Sequence, residues 1–199
     1  MKITPFFSYG YPSNMYYITD DKETAGVLID PSMPPDAFVS RCGSERPLCG
    51  VILTHGHFDH MLCLDEYRAT YHVPVYIGRA DAPFLLDASL NLYQRFLNEN
   101  KTYSPAEYLL SVGDTVAVGR EQLRISEMPG HTPGSIVCFS ENFAVTGDLL
   151  FDGGAYGRTD FPGGDEAAMQ CSLKRFRALS EGLTLYPGHG EAFVLSHSM

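Results

Sequence analysis

The apolar run Gly50-Val51-Ile52-Leu53-Thr54 leads straight into His55-Gly56-His57-Phe58-Asp59-His60, and this junction constrains the chain more than any other feature. The run reads as a buried strand, so a strand end delivers three imidazoles and a carboxylate to one sharp loop. His55 and His57 alternate across Gly56, and an extended backbone points alternate side chains the same way. Asp59 and His60 fall on the bend that follows, where they can face a second ion. A single structural zinc is closed by about four ligands and does not need so many. A chance cluster on a solvated loop is the competing reading, and three remoter polar residues weigh against it. His131 lies in Pro129-Gly130-His131-Thr132-Pro133-Gly134-Ser135, Asp148 follows Phe143-Ala144-Val145-Thr146-Gly147, and His189 follows the last apolar run. Each ends a strand and opens a Gly/Pro-rich turn, and sites at strand ends collect side chains from several such loops.

The rest of the chain supplies the frame. Asn14–Thr19 and Ala25–Ile29 read as neighbouring strands about the Asp20-Asp21 turn, an antiparallel meander. Asp36 to about Arg41 reads as a weak helix, and Met61–Tyr71 as an amphipathic one with Met61, Leu64, Tyr67 and Tyr71 inward. Val73–Ile77 is the next strand, Asp81–Phe96 reads as helix and Asn98–Pro105 as polar loop. Short strands fill Tyr108–Asp148 between turn signals, and the glycine-rich stretch Asp152–Gly164 is a loop. Asp165–Ser180 reads as a helix with Ala168, Leu173, Phe176 and Leu179 toward the core, followed by a strand over Leu183–Tyr186. This order predicts an α+β chain of two similar halves packed sheet to sheet with helices outside. Its 199 residues suit one domain, 1–199.

Composition narrows the partners. Lys and Arg number 14 against 24 Asp and Glu, a formal charge of -10. That balance argues against nucleic acid and against an anionic membrane, both of which need clustered cations. No apolar run approaches the roughly 18 residues that span a bilayer, and the first residues lack the apolar core of a secretory signal. Five cysteines, an odd number with no CxxC pair, fit reduced thiols in the cytoplasm.

The strings THGHFDH, PGHTPGS, TGDLLF and YPGHG, in this order, resemble the metallo-β-lactamase fold superfamily over essentially the whole chain. The resemblance implies a four-layer αβ/βα sandwich of two mixed sheets with outer helices. It implies that His55, His57 and His131 hold one divalent metal ion, that Asp59, His60 and His189 hold a second, and that Asp148 bridges them. The metals implied are zinc, or iron or manganese. His57 separates the chain from the flavodiiron branch, and Asp148 from the true β-lactamases, which use Cys or Ser there. Gly157–Asp165 is most similar to short glyoxalase II-like proteins, the hydroxyacylglutathione hydrolases. The activity this implies is hydrolysis of a small thioester, such as lactoylglutathione, by a metal-bridging hydroxide, with Asp59 or Asp148 orienting the hydroxide.

Two departures and two alternatives accompany the resemblance. Full-length glyoxalase II enzymes carry a helical C-terminal domain that grips glutathione, whereas this chain ends ten residues after His189, with Gly190-Glu191 where those enzymes place a tyrosine. The first alternative is a persulfide dioxygenase with one iron on His55, His131 and Asp148. The second is a lactone or other ester hydrolase, or a metal-binding module without turnover. Arg158 is the candidate contact for a substrate carboxylate, against a plain ion pair with Asp160. Thr54, Asp30 and Thr132 are candidates to orient the imidazoles. Tyr93 and Phe96 read as core anchors, the segment from Asn91 to Tyr108 as helix and surface loop rather than a lid, and His72 and His197 as bystanders.

Overall fold

The computed structural model describes residues 1–8 and 12–195; His197 lies outside them. Alternation of side chains along the strands explains the layering. In β2 (Met15–Thr19), Tyr16 and Ile18 face one way and Met15 and Tyr17 the other, and all of them are buried. The same two-sided burial holds for β3 (Gly26–Ile29) and β4 (Gly50–Leu53), so this sheet must be covered on both faces. One face meets the second sheet: Tyr16, Ile18, Val27, Ile29 and Ile52 pack with Val116, Leu123, Ile125, Cys138 and Val145. The other face meets helices, with Tyr17, Leu28, Leu53 and Ile77 against Phe38 of α1 (Pro35–Cys42) and Leu64 and Tyr67 of α2 (Leu64–Tyr71).

The first sheet runs β1-β2-β3-β4-β5-β6, adding β1 (Lys2–Phe6), β5 (Val75–Gly78) and β6 (Tyr108–Leu110). Its first two pairings are antiparallel and the other three parallel. The short helix α3 (Tyr93–Leu97) lies between β5 and β6 in the chain. The second sheet runs β12-β11-β10-β9-β8-β7, built from β7 (Thr115–Val118), β8 (Glu121–Glu127), β9 (Ile136–Phe139), β10 (Phe143–Gly147), β11 (Thr184–Pro187) and β12 (Phe193–Val194). All its pairings are antiparallel except β10 with β11. Its outer face is covered by α4 (Glu166–Leu179), whose Met169, Leu173 and Phe176 pack on Val137, Phe139, Ala144 and Leu185. The fold is the expected α+β sandwich of two mixed sheets between helices.

Local expectations fail at three places. The helix expected over Asp81–Phe96 is a 3-10 segment (Arg79–Leu86) and then α3, because Pro83 removes a donor and Asp87 accepts from the backbone of Ser89 and Leu90, closing a turn. The helix expected from Met61 starts at Leu64, after a separate 3-10 turn over Phe58–His60. Leu179 ends α4 48% exposed, and Met169 fills the core position instead.

Candidate metal centre

β3, β4 and β5 run parallel, so their C-terminal ends open on one edge. Asp30 follows β3, His55 follows β4, and Asp81 lies three residues beyond Gly78, the end of β5. The second sheet contributes Asp148 after β10, His189 after β11, and His131 between β8 and β9. The sequence-predicted residues meet there. His55, His57 and His131 form one group, Asp59, His60 and His189 another, and Asp148 joins His55 and His60 in a third; within each group, ligand atoms lie within 4.8 Å of one another. Asp148 Oδ1 is 3.4 Å from His60 Nε2, while its Oδ2 is 3.5 Å from His131 Nε2 and 3.7 Å from His189 Nε2. Asp59 Oδ2 is 3.3 Å from His189 Nε2.

The far sides of the rings fix their tautomers. His60 Nδ1 donates to Asp30 at 2.8 Å, and His131 Nδ1 donates to the Arg158 carbonyl at 2.7 Å. Asp30 also accepts from the Thr54 amide and hydroxyl, and the Thr54 oxygen lies 3.2 Å from His55 Nδ1. Bare Nε2 atoms are thereby turned inward, the arrangement in which imidazoles bind metals. The inward atoms His55 Nε2, His60 Nε2 and Asp148 Oδ1 are buried with no hydrogen-bond partner, and His57 turns its Nδ1 to within 2.9 Å of His131 Nε2. Such atoms are costly to leave unmatched, and a cation shared among them removes the cost. A nitrogen and carboxylate donor set suits zinc, iron or manganese.

The electrostatics point the same way. Burial, reinforced by His60 and His131, holds His55 well below the ordinary imidazole range. Burial with His131 beside it lowers His57 to about 3. Burial also works against protonating His60, but Asp30, Asp59 and Asp148 outweigh it and raise that ring well above its ordinary value. Asp148 is held well below the carboxylate range despite burial, by His60, His131 and His189. The pocket thus keeps His55 and His57 neutral beside an ionised Asp148, while the acids around His60 favour positive charge on that ring, so the carboxylate side of the cluster is the side that attracts a cation.

Asp30 and Thr54 stand where orienting residues were expected; Thr132 does not. Its hydroxyl meets Asp81 and Ser135 rather than an imidazole. Asp81 itself escaped the sequence reading, which placed it inside a helix. It is fully buried and accepts from the Gly56 amide, the Thr132 hydroxyl and the Gly134 amide at 2.6–2.8 Å. It therefore ties the loop of His55 and His57 to the loop of His131. Burial raises its carboxyl to about 6. The available signal was an acid just past a strand end, as with Asp30. Asn14 was missed too: its side-chain amide donates to the Pro187 and Gly190 carbonyls, gripping the loop on both sides of His189. Gly188 leaves no room for a side chain, since a Cβ there would run into Asp148 Oδ1 and His60 Cε1. Gly188→Ala is expected to weaken metal binding about 10- to 100-fold, read by chelator competition; unchanged affinity would show that the crowding relaxes.

Arg158 lines the cavity above the cluster and makes two bonds to Asp160, at 2.8 and 2.6 Å. Phe96 is no core anchor: it is 54% exposed and also lines this cavity, whereas Tyr93 is buried. His72 ends α2 in a left-handed conformation, away from the cluster's groupings. Among the described residues, no helix is long and apolar enough to cross a membrane.

Comparison with known proteins agrees with this geometry. The chain is 35% identical over 183 residues to the probable metallo-hydrolase YqgX of Bacillus subtilis, covering 89% of this chain and 85% of the relative. It is 30% identical over 185 residues to the hydroxyacylglutathione hydrolase GloC of Haemophilus influenzae, covering 90% and 86%. Among solved structures it resembles the BLEG-1 B3 metallo-beta-lactamase, with TM-score 0.87, 29% identity and coverage of 96% and 93%. It also resembles TTHA1623 in a di-iron-bound form, with TM-score 0.82, 28% identity and coverage of 96% and 94%. The pattern of the metallo-beta-lactamase superfamily matches residues 8–189, which include all seven clustered His and Asp residues, and the chain belongs to that superfamily.

Proposed function

We propose that this chain is a dinuclear metal-dependent hydrolase of small thioesters, with an acylglutathione such as lactoylglutathione as a candidate substrate. The observation that carries the reading is the pair of three-residue groups joined through Asp148, which meets His60 on one side and His131 on the other. In this reading His55, His57 and His131 hold one ion, Asp59, His60 and His189 hold the other, and Asp148 serves both. The chemistry such ions would supply when bound is a water of pKa near about 7 and a Lewis acid for a carbonyl oxygen. Asp59 and Asp148 act as catalytic groups by accepting a hydrogen bond from the attacking water and aiming its lone pair. A thiolate leaves readily, so the site needs no further acid. Arg158 is the proposed substrate contact at the rim.

The relatives named metallo-hydrolase support hydrolysis, and the likeness to GloC supports the thioester. We take zinc as the resident metal, and the likeness to a di-iron form makes iron the metal to test it against. The cavity over the cluster, about 360 Å³, has the size of a small-molecule site. The charge of -10 supports a partner that is neither nucleic acid nor anionic membrane. Five free cysteines fit the cytoplasm. The core shared by the two sheets supports one domain over residues 1–199.

Metal content with a substrate panel tests the proposal. About two ions per chain and turnover of a thioester ahead of lactone, phosphoester and β-lactam substrates is the expected result. One iron per chain with thiol-dependent oxygen uptake would replace the hydrolase by the dioxygenase.

A further inference from the structure

The cavity over the cluster has one polar side and one apolar side. Its floor is His57, Asp59, His131, Asp148 and His189, and its walls are Phe58, Leu92, Phe96, Phe151, Tyr156 and Phe161. The aromatic rings form a continuous surface that begins at a proposed metal ligand. The His57 and Phe161 ring centres are 5.8 Å apart and nearly perpendicular. Phe161 meets Phe96 edge-on at 5.9 Å, and Phe96 stacks on Phe58 at 5.8 Å.

Tyr156 and Arg158, the polar side chains beside these walls, have partners within the fold. The Tyr156 hydroxyl is 2.9 Å from Glu166 and accepts from Gln170. The Arg158 guanidinium lies 4.5 Å over the Phe161 ring and gives two bonds to Asp160, which leaves its other N–H donors for the rim of the cavity rather than its apolar wall. Two further features set this side of the cavity apart. Phe96 is 54% exposed beside the cavity, and Leu92 adopts φ 70, a left-handed backbone that leucine avoids. Strain and exposed apolar surface beside a reactive cluster mark a ligand surface.

We propose that the acyl group of the substrate is apolar and ring-sized, an arylacetyl or branched aliphatic group, packed against Phe96 and Phe161. This rests on the thioester hydrolase reading and sharpens it against a lactoyl substrate, whose hydroxyl the rings of Phe58, Phe96 and Phe161 cannot partner. Burial of an apolar group of this size against aromatic surface favours it by roughly tenfold or more over a small hydroxylated one.

The test is a set of glutathione thioesters carrying acetyl, lactoyl, isovaleryl and phenylacetyl groups, assayed on the metal-loaded protein. The kcat/KM for phenylacetyl is expected to exceed that for lactoyl by about tenfold or more. In Phe96→Ala and Phe161→Ala that ratio is expected to shrink by about threefold or more in each. A ratio within one protein is self-normalising, so a general loss of activity or metal does not imitate the effect. Equal or better turnover of lactoyl, or a ratio untouched by both substitutions, overturns the proposal. If the loaded protein cleaves no thioester, the thioester reading fails, and the pocket is judged separately by calorimetry with phenylacetate and lactate. Phenylacetate binding about tenfold tighter supports the apolar subsite; equal binding, or none of either, overturns it.

Discussion

Asp148→Asn is expected to reduce bound metal from two ions per chain to one or none and to lower hydrolysis by about a thousandfold or more. Asn nearly preserves the volume, so the change removes charge and one oxygen rather than packing. Asp148 is the carboxylate that approaches His60, His131 and His189 together, at 3.4, 3.5 and 3.7 Å. An amide in its place turns an N–H toward imidazole nitrogens that need to present lone pairs to a cation. Metal analysis beside steady-state kinetics checks both halves. Retention of two ions with activity within tenfold of the parent would show that Asp148 neither bridges nor aims the water.

The second large effect belongs to a residue placed outside the proposed metal ligands. Asp30→Ala strips partners from the Thr54 amide and hydroxyl and from His60 Nδ1, all inside a fully buried pocket. Leaving such donors unmatched, one of them on a ring with raised affinity for protons, costs about 3–5 kcal/mol. For a domain of this size that is roughly 6–20 °C in Tm. Metal affinity falls with it, about 10- to 100-fold, because His60 and the residue that braces His55 lose their anchor. Asp30→Asn is expected to recover much of the stability: its carbonyl still accepts, and Asn tolerates the left-handed backbone that Asp30 adopts with φ 52. A melt of Asp30→Ala within about 2 °C of the parent would sink this account.

The cluster was legible because metal ligands are rare residue types and strand ends are easy to find. His55 through His60, His131, Asp148 and His189 each stand where an apolar run stops, and the fold only had to bring those ends to one edge. The bracing residues divide by the same logic. Asp30 is an acid at a strand end and could be read, whereas Asp81 sits three residues past one, in a stretch whose apolar spacing imitates a helix. Pro83 and the Asp87 turn argue for breakage there, but Leu85, Tyr93 and their neighbours recur at intervals that a helix and a 3-10 turn both satisfy. Asn14 was beyond reach for another reason. Its partners, Pro187 and Gly190, lie at the other end of the chain, and no local pattern announces a contact of that range. Phe96 shows the limit of hydrophobicity as a guide, because an apolar ring that lines a cavity is spelled like one that covers a core.

The braces cross between the halves. Asp81 from the first half holds the loop of His131 in the second, Asn14 from the first holds the loop of His189, and the Ile136 amide donates to the Thr54 carbonyl across the gap between sheets. Each proposed ion likewise draws ligands from both halves: His55 and His57 with His131, Asp59 and His60 with His189. The centre is therefore a seam and not a possession of either sheet. Neither half alone can assemble it, and ions bound there act as a non-covalent cross-link whose removal loosens the sandwich along that edge first.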